Sequence, residues 1–339
     1  MSATGIGGFF GLEIPVAADG ILESWTGGLP IACFVNARSA LAALIAAERP
    51  PTVWLPAFLC NALAEAVPDV LIQYYPVGVS LSPQVSTLGD VRNGDMFVGI
   101  NYFGYGVAAD FIDFAAAHPD VLFVEDCSHC LVPPPAAWGR WRLFSPRKLM
   151  GVADGGVLVA MHDGLKVPQP IGFQASPESQ WVAPMMRFED ETGTRAAHWH
   201  ASNQTKENAM MVSDAAMTRL SRALLTLTNP QPLIHRREAN FSVLNAALNH
   251  LLLPLGRPIG AAPFSFPIQL EEVQRDRVLK SLHEQHIYAA VHWSDLPSPA
   301  DRFSVEHQLS RQLISLPCDH RYGAGDMARV IQAVSQAVG

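Results

Sequence analysis

Between residues 31 and 162 short apolar runs and helical periods take turns, and no other feature narrows the fold as much. "IACFVN" (31–36) reads as a strand, and "ARSALAALIAAE" (37–48) as a helix that Pro50 and Pro51 end. "TVWLP" (52–56) reads as the next strand and "CNALAEAV" (60–67) as its helix. Strands follow at 70–77, 95–101, 121–126 and 155–162, with a helix at 110–118. These strands are apolar almost throughout rather than alternating, so the expected class is α/β, with a mainly parallel sheet covered by helices on both faces. Ligands of such sheets bind beyond the carboxyl ends of the strands, which puts Asn36, Asn101, Asp126 and the 144–154 loop near one edge.

The pattern breaks over 165–210, a polar stretch containing "ETGTRAAHWHASNQTKEN" that reads as a long excursion or partly flexible loop. Helices are expected at 213–227 and 232–252. The tail reads as an α+β unit: strand 263–270, amphipathic helix 273–286, strand 288–293 and a last helix 326–338. The expected division is a large domain over 1–230 and a smaller C-terminal domain over 231–339.

A chain of 339 residues, 49% hydrophobic and 16% charged, buries a large core and has the composition of a globular enzyme. Its net charge of −8 argues against a nucleic-acid partner. No basic region precedes an apolar run at the N-terminus, and no apolar run reaches the roughly 18 residues of a membrane span. Five cysteines at irregular spacing read as reduced thiols in a cytoplasmic protein.

The chemistry centres on "FSPRKLMGVADGGVLVA" (144–160), where Lys148 lies in a tight loop ahead of a buried strand. Asp126 ends another apolar strand, where an ionised carboxylate is costly unless a cation or strong donor meets it. Alone, the lysine reads as a surface charge and the aspartate as a loop cap. A lysine and an aspartate at one edge of one sheet together suggest pyridoxal 5'-phosphate. The lysine forms a Schiff base with the aldehyde, and the aspartate keeps the pyridine nitrogen protonated. "VNARSALAAL" adds a strand, a turn and a helix start, with Arg38 and Ser39 as cation and hydroxyl for a phosphate. Separately, Ser39 reads as an N-cap and Arg38 as a surface charge. The order of cradle, aspartate and lysine, each after a strand, is what favours the cofactor.

On these residues the chain resembles the DegT/StrS-type sugar aminotransferases, a family of fold-type I pyridoxal-phosphate enzymes. The similar segments are "GGFFGLE" (7–13), "NARSALAAL" (36–44), "LPAFLCNALAEAV" (55–67), "NYFGYG" (101–106) and "VEDCSHC" (124–130). The lysine loop and the closing "SRQLISLPCDHRYGAGDMARVIQAV" (310–334) are the most specific. The resemblance implies that Lys148 is the Schiff-base lysine and Asp126 the partner of the pyridine nitrogen. It puts His129 beside the phenolic oxygen and Arg38 and Ser39 at the phosphate. The family's phosphate serine stands five residues before the lysine; Leu143 is there, and Ser145 is the candidate instead. At the ring-stacking position, aromatic in the family, Cys60 and Phe58 both stay open, as do Asn203 and Asn208 for the asparagine lent by a neighbouring subunit. The implied function is transfer of an amino group from an amino acid, usually glutamate, to a keto acceptor. A nucleotide-linked keto sugar of polysaccharide or secondary-metabolite pathways is implied as acceptor, and a homodimer as the assembly. The alternatives are a dehydratase or lyase on the same cofactor and a non-catalytic ligand-binding member.

Other motifs carry less. Cys127 and Cys130 form a C-x-x-C without a second pair, so no metal or redox role is expected. "HWH" (198–200) reads as a solvated loop and "HRRE" (235–238) as a charged helix face, with a substrate diphosphate as the sharper option. His292 and Trp293 read as core packing by default, although the resemblance places substrate-side residues nearby. A nicotinamide enzyme is disfavoured because no G-x-G-x-x-G follows the first strand.

Overall fold

The computed structural model describes residues 6–7, 20–174, 176–191, 193–255, 260 and 262–338. Past Gly7, the opening motif at 7–13 lies outside the described residues. The chain begins with the two-residue strand β1 (Ile6–Gly7) and helix α1 (Ile21–Thr26). The main sheet is then laid down by β2 (Ile31–Phe34), α2 (Ala37–Glu48), β3 (Val53–Pro56), the short α3 (Asn61–Ala64) and β4 (Ile72–Tyr75). It is completed by β5 (Met96–Ile100), α4 (Ala109–Ala117), β6 (Leu122–Asp126), β7 (Trp141–Phe144) and β8 (Gly156–Ala160).

The seven strands are ordered β2-β8-β7-β6-β5-β3-β4. All adjacent pairs are parallel except β2 with β8 and β7 with β8. Because β8 alone runs backwards, the 145–155 segment is a hairpin loop at the edge where β2, β5 and β6 end. The mainly parallel sheet is as expected. Strand β7 was not, because "WRLF" is short and Arg142 interrupts its apolar run. That arginine is buried and tied to Glu125 of β6 at 2.8 Å. Alternation along β6 sends Glu125 and Asp126 to opposite faces, so the ion pair lies behind the strand from Asp126.

Residues 165–210 are not a continuous loop: they contain α5 (Val182–Phe188) and α6 (Ala196–Ala209). Helix α6 buries only Trp199, so no apolar stripe announces it. "HWH" is therefore helical, with His198 and His200 exposed and Trp199 bonded to Asp190 at 2.9 Å. Helix α7 (Arg219–Leu227) starts later than 213 because the Thr218 side chain caps it. The residues before it instead join β2: Val35 donates to Ala215 O (2.9 Å) and Met217 to Cys33 O (3.0 Å). Helix α8 (Pro230–Leu248) starts at its Asn229 cap. The remainder is β9 (Phe266–Gln269), α9 (Glu272–Glu284), β10 (Ile287–Tyr288), α10 (Ser304–Gln312), β11 (Leu313–Leu316) and α11 (Ala324–Val338). β9 and β11 pair antiparallel, and β1 pairs parallel with β10. Of the strand expected over 288–293 only Tyr288 is in β10, with Ala290 bridged to Ser315.

Three apolar clusters hold this together. One fills the sheet with Leu41, Leu44, Phe97 and Phe111; a second packs Trp25, Leu149, Met150 and Leu225 around Phe144. The third joins Leu244, Phe266, Ile268, Ile314 and Val330 in the C-terminal part. That part is fastened to the sheet's loops: Glu306 accepts from Val77 N (2.8 Å) and Gly78 N (2.7 Å), and Ser298 donates to Ala57 O (2.8 Å). No helix among the described residues is long and apolar enough to cross a membrane.

Candidate active site

The loop after β7 makes a 3₁₀ turn over Pro146–Lys148, closed by Leu149 N to Pro146 O at 2.8 Å. Leu149 and Met150 are fully buried, so the turn is pinned by the side chains that follow the lysine. The loop returns past Asn36 with no room for side chains: a Cβ on Gly156 would lie 2.2 Å from the Asn36 carbonyl. Asp154 fixes the return from a buried position, accepting from Thr218 N (2.8 Å), Thr218 Oγ1 (2.8 Å) and Gln174 Nε2 (2.6 Å).

Lys148 stands between two clefts and lines both. The first lies over the strand ends. Asp126, His129, Arg38, Ser145 and Arg147 all line it. Cys60 and Trp293 also face it. The structure thus brings together Arg38, Cys60, Asp126, His129, Ser145 and Lys148. Ser39 and Phe58 stand outside the cleft wall. Ser39 is buried; its N–H donates to Asn36 Oδ1 (2.8 Å) and its hydroxyl accepts from Ser213 N (3.1 Å). Phe58 packs against Tyr102 and Trp293 at centroid distances of 5.8 and 5.5 Å. Asn203 is half-buried and Asn208 exposed on α6, away from the cleft wall.

Asp126 is buried, with Ser128 N donating to its Oδ1 at 2.7 Å. Burial pushes its carboxyl above the usual range; the Lys148 ammonium and the Ser128 hydroxyl and N–H pull it only part of the way back. A cationic N–H entering the cleft would supply the missing compensation. His129 is held well below its usual range by burial, by Lys148 and by His292, so its ring is neutral. Phe103 N donates to its Nδ1 at 3.2 Å, which leaves Nε2 as the protonated nitrogen, a donor. Phe264 stacks on this ring with centroids 4.2 Å apart and an interplanar angle of 8°.

Two cations also line this cleft. Asn36 caps α2, and Arg38 from the first turn donates to Glu65 (2.8 Å) and to Met210 O (3.0 Å). Arg147 pairs with Glu207 of α6 at 2.6 Å through one terminal nitrogen, while its Nε is buried without a hydrogen-bond partner. Two guanidinium groups, a serine and a helix start suit a phosphate group. An undercompensated carboxylate and an orphaned cationic donor are both what a phosphorylated pyridine would satisfy. The residues present fit pyridoxal phosphate.

The second cleft runs from Lys148 toward the C-terminal part, past Arg237, His292 and Ser315. His292 is lowered to about 3 by burial and by Lys148, and its Nδ1 lies 2.7 Å from Ser315 Oγ. Sequence reasoning missed Arg147, Ser128 and Trp293 as cleft residues. Arg147 could have been found, since it adjoins Lys148 in one loop; Trp293 arrives from a distant segment. Arg237 was read as a helix-face charge but is fully buried. Cys127 and Cys130 are also buried, with Asn101 Nδ2 3.4 Å from Cys127 Sγ. Among the described residues no three histidine, cysteine or acidic side chains gather as a metal site.

With this geometry in view, comparisons with known proteins are specific. The profile of the DegT/DnrJ/EryC1/StrS aminotransferase family matches residues 95–335. No curated protein sequence matches the chain. Among solved structures, a Streptococcus pneumoniae protein assigned as a sugar aminotransferase, in its PMP form, superimposes with a TM-score of 0.68 at 12% identity, covering 98% of each chain. A DegT DnrJ EryC1 StrS aminotransferase from Brucella abortus gives 0.66 at 17% identity, over 94% of this chain and 88% of that one. DesI, solved in the presence of its TDP-sugar product, gives 0.64 at 16%, over 93% and 82%.

Proposed function

The chain belongs to the DegT/DnrJ/EryC1/StrS aminotransferase family and is a pyridoxal-phosphate-dependent aminotransferase, and from that premise we propose that it moves an amino group from an amino acid, glutamate first among candidates, to a nucleotide-linked keto sugar. The observation that carries the reading is Lys148 standing between two clefts, with Asp126, His129 and two arginines around the first. The TDP-sugar product of DesI supports a nucleotide sugar as acceptor and, with it, a role in polysaccharide or secondary-metabolite synthesis.

When bound, pyridoxal phosphate supplies an aldehyde for amines and a ring that takes up the electron pair of a breaking C–H bond. The protein's residues do the rest. Arg38, Arg147 and Ser145 would hold the phosphate, and Asp126 would keep a proton on the ring nitrogen. The His129 Nε2–H would be the donor available to the phenolic oxygen, and Cys60 and Trp293 would form part of the wall around the ring. Lys148 Nζ would hold the resting cofactor and, once freed, would serve as the base and acid that moves the proton of the substrate carbon.

The assembly we infer is a homodimer. Phe173 (91% exposed) and Met185 (52%) line a hollow together with Trp181, Met217 and Leu220, and Ile171, two residues before Phe173, is 83% exposed. A monomer rarely leaves such a patch uncovered. Five free thiols suit the cytoplasm. We read the domains as 1–230 and 231–339, supported by the separate apolar core of the C-terminal part.

The test compares the protein with a Lys148→Ala variant in the presence of pyridoxal phosphate. Expected is a visible band that borohydride fixes covalently to Lys148 in the first protein only, followed by release of 2-oxoglutarate from glutamate when a nucleotide-linked keto sugar is added. Absence of the band at saturating cofactor would overturn the reading. Turnover of the sugar with no keto acid released would replace transfer by a lyase reaction.

A further inference from the structure

Arg237 belongs to α8, yet its side chain is wholly inside the protein. Its terminal nitrogens reach main-chain carbonyls on two separate segments. One donates to Leu149 O at 2.8 Å, the carbonyl next in sequence to Lys148. The other donates to Pro263 O at 3.1 Å, with Phe264 O at 3.5 Å. Phe264 is the residue whose ring lies on His129. One guanidinium therefore bridges the lysine turn to the support of the histidine, and it lines the second cleft beside Lys148.

Docking α8 does not require this. Leu244 and Leu248, on the same helix, dock it with apolar side chains that are 0% and 2% exposed. A buried cation is costly and is retained where its directional donors do something an apolar group cannot. A planar fork can hold two carbonyls at a fixed separation; the point charge of a lysine cannot.

We propose that Arg237 is a positioning residue for the transfer reaction, setting the places of Lys148 and of the Phe264–His129 stack relative to each other. This rests on the function proposed above. Asn240, one turn further along α8, is the internal control. It is also buried and holds the main chain at Asp319 (2.9 Å) and Tyr322 (3.0 Å), but it reaches neither the lysine turn nor Phe264.

The experiment uses the full chain as Arg237→Lys, Arg237→Gln and Asn240→Ala, each checked for native circular dichroism. Two probes are compared. Pyridoxal phosphate must be captured covalently by Lys148; pyridoxamine phosphate has no aldehyde and needs only the cradle. For both Arg237 variants, capture is expected to slow by about tenfold or more, since a small misplacement of a reacting group is costly in rate. Pyridoxamine phosphate affinity is expected to stay within about threefold, and Asn240→Ala to change neither probe. Should Arg237→Gln not fold, Arg237→Lys decides alone, because it keeps the charge and loses the fork. The proposal is overturned if a folded Arg237 variant captures at the unmodified rate, if both probes weaken together, or if Asn240→Ala slows capture equally. Failure of the unmodified protein to capture pyridoxal phosphate would overturn this proposal and the proposed function together; the other outcomes leave the function standing.

Discussion

Asp126→Asn is expected to make the cofactor-free protein more stable near neutral pH while disabling it. Asp126 is buried at the end of β6 with one main-chain donor, and burial outweighs Lys148 in setting its carboxyl, so its folded-state pKa lies above the unfolded one. An acid raised in this way contributes stability below its unfolded pKa, and that contribution is lost as pH rises through the folded pKa. Near pH 7 the folded chain therefore carries a carboxylate less well compensated than in the unfolded chain. Asparagine keeps the shape and the acceptor for Ser128 N but not the charge. An incompletely satisfied buried group of this kind costs about 1–3 kcal/mol, and about 2 °C per kcal/mol for a chain of this length gives a rise of roughly 2–6 °C. Thermal melts of the stripped protein across a pH series would read it. The gain should be largest near neutrality and shrink as the pH falls toward the carboxylate range. Adding pyridoxal phosphate should reverse the ranking, because the ligand stabilises the form that binds it more tightly. A variant that melts at or below the unmodified protein near pH 7, or whose gain grows in acid, would refute the argument.

Arg147→Gln is expected to weaken pyridoxal phosphate by about ten- to a hundredfold and to leave unphosphorylated pyridoxal unchanged, measured by titration of the visible band. Glu125→Gln leaves Arg142 charged in the interior and is expected to cost about 3–5 kcal/mol in urea unfolding; Glu125→Gln with Arg142→Met should recover most of it. The His129 ring, held neutral, should show no titration in its NMR shifts between about pH 5.5 and 8. Phe173→Glu should yield monomers in sedimentation equilibrium if the exposed patch is a dimer contact.

The sheet was legible where strands are uninterrupted apolar runs, as in β5, β6 and β8. It was illegible at β7, where Arg142 breaks the run for a partner that only the folded sheet supplies. Helix α6 could not be read because it meets the cleft wall with polar contacts instead of an apolar stripe. Among the residues that line the cleft, those set by local geometry after a strand were readable: Lys148, Asp126, His129 and Arg38. Ser39 and Phe58 each lie next to such positions, but the Asn36 cap turns Ser39 toward residue 213 and Phe58 turns behind the cleft wall. Trp293 and Arg237 reach the site from beyond residue 230, and nothing in their own segments says where they arrive.

The reversed direction of β8 has a consequence for the order of assembly. β2 hydrogen-bonds to β8 within the sheet, so the cradle at Asn36–Arg38 has no sheet neighbour until residues 156–160 have been synthesised. The contacts over that cradle come later still, from residues 210–213, and Trp293 later again. Closing so long a loop is slow. The lining of the cleft is thus drawn from early, middle and late parts of the chain, and it is complete only once Trp293 has been made.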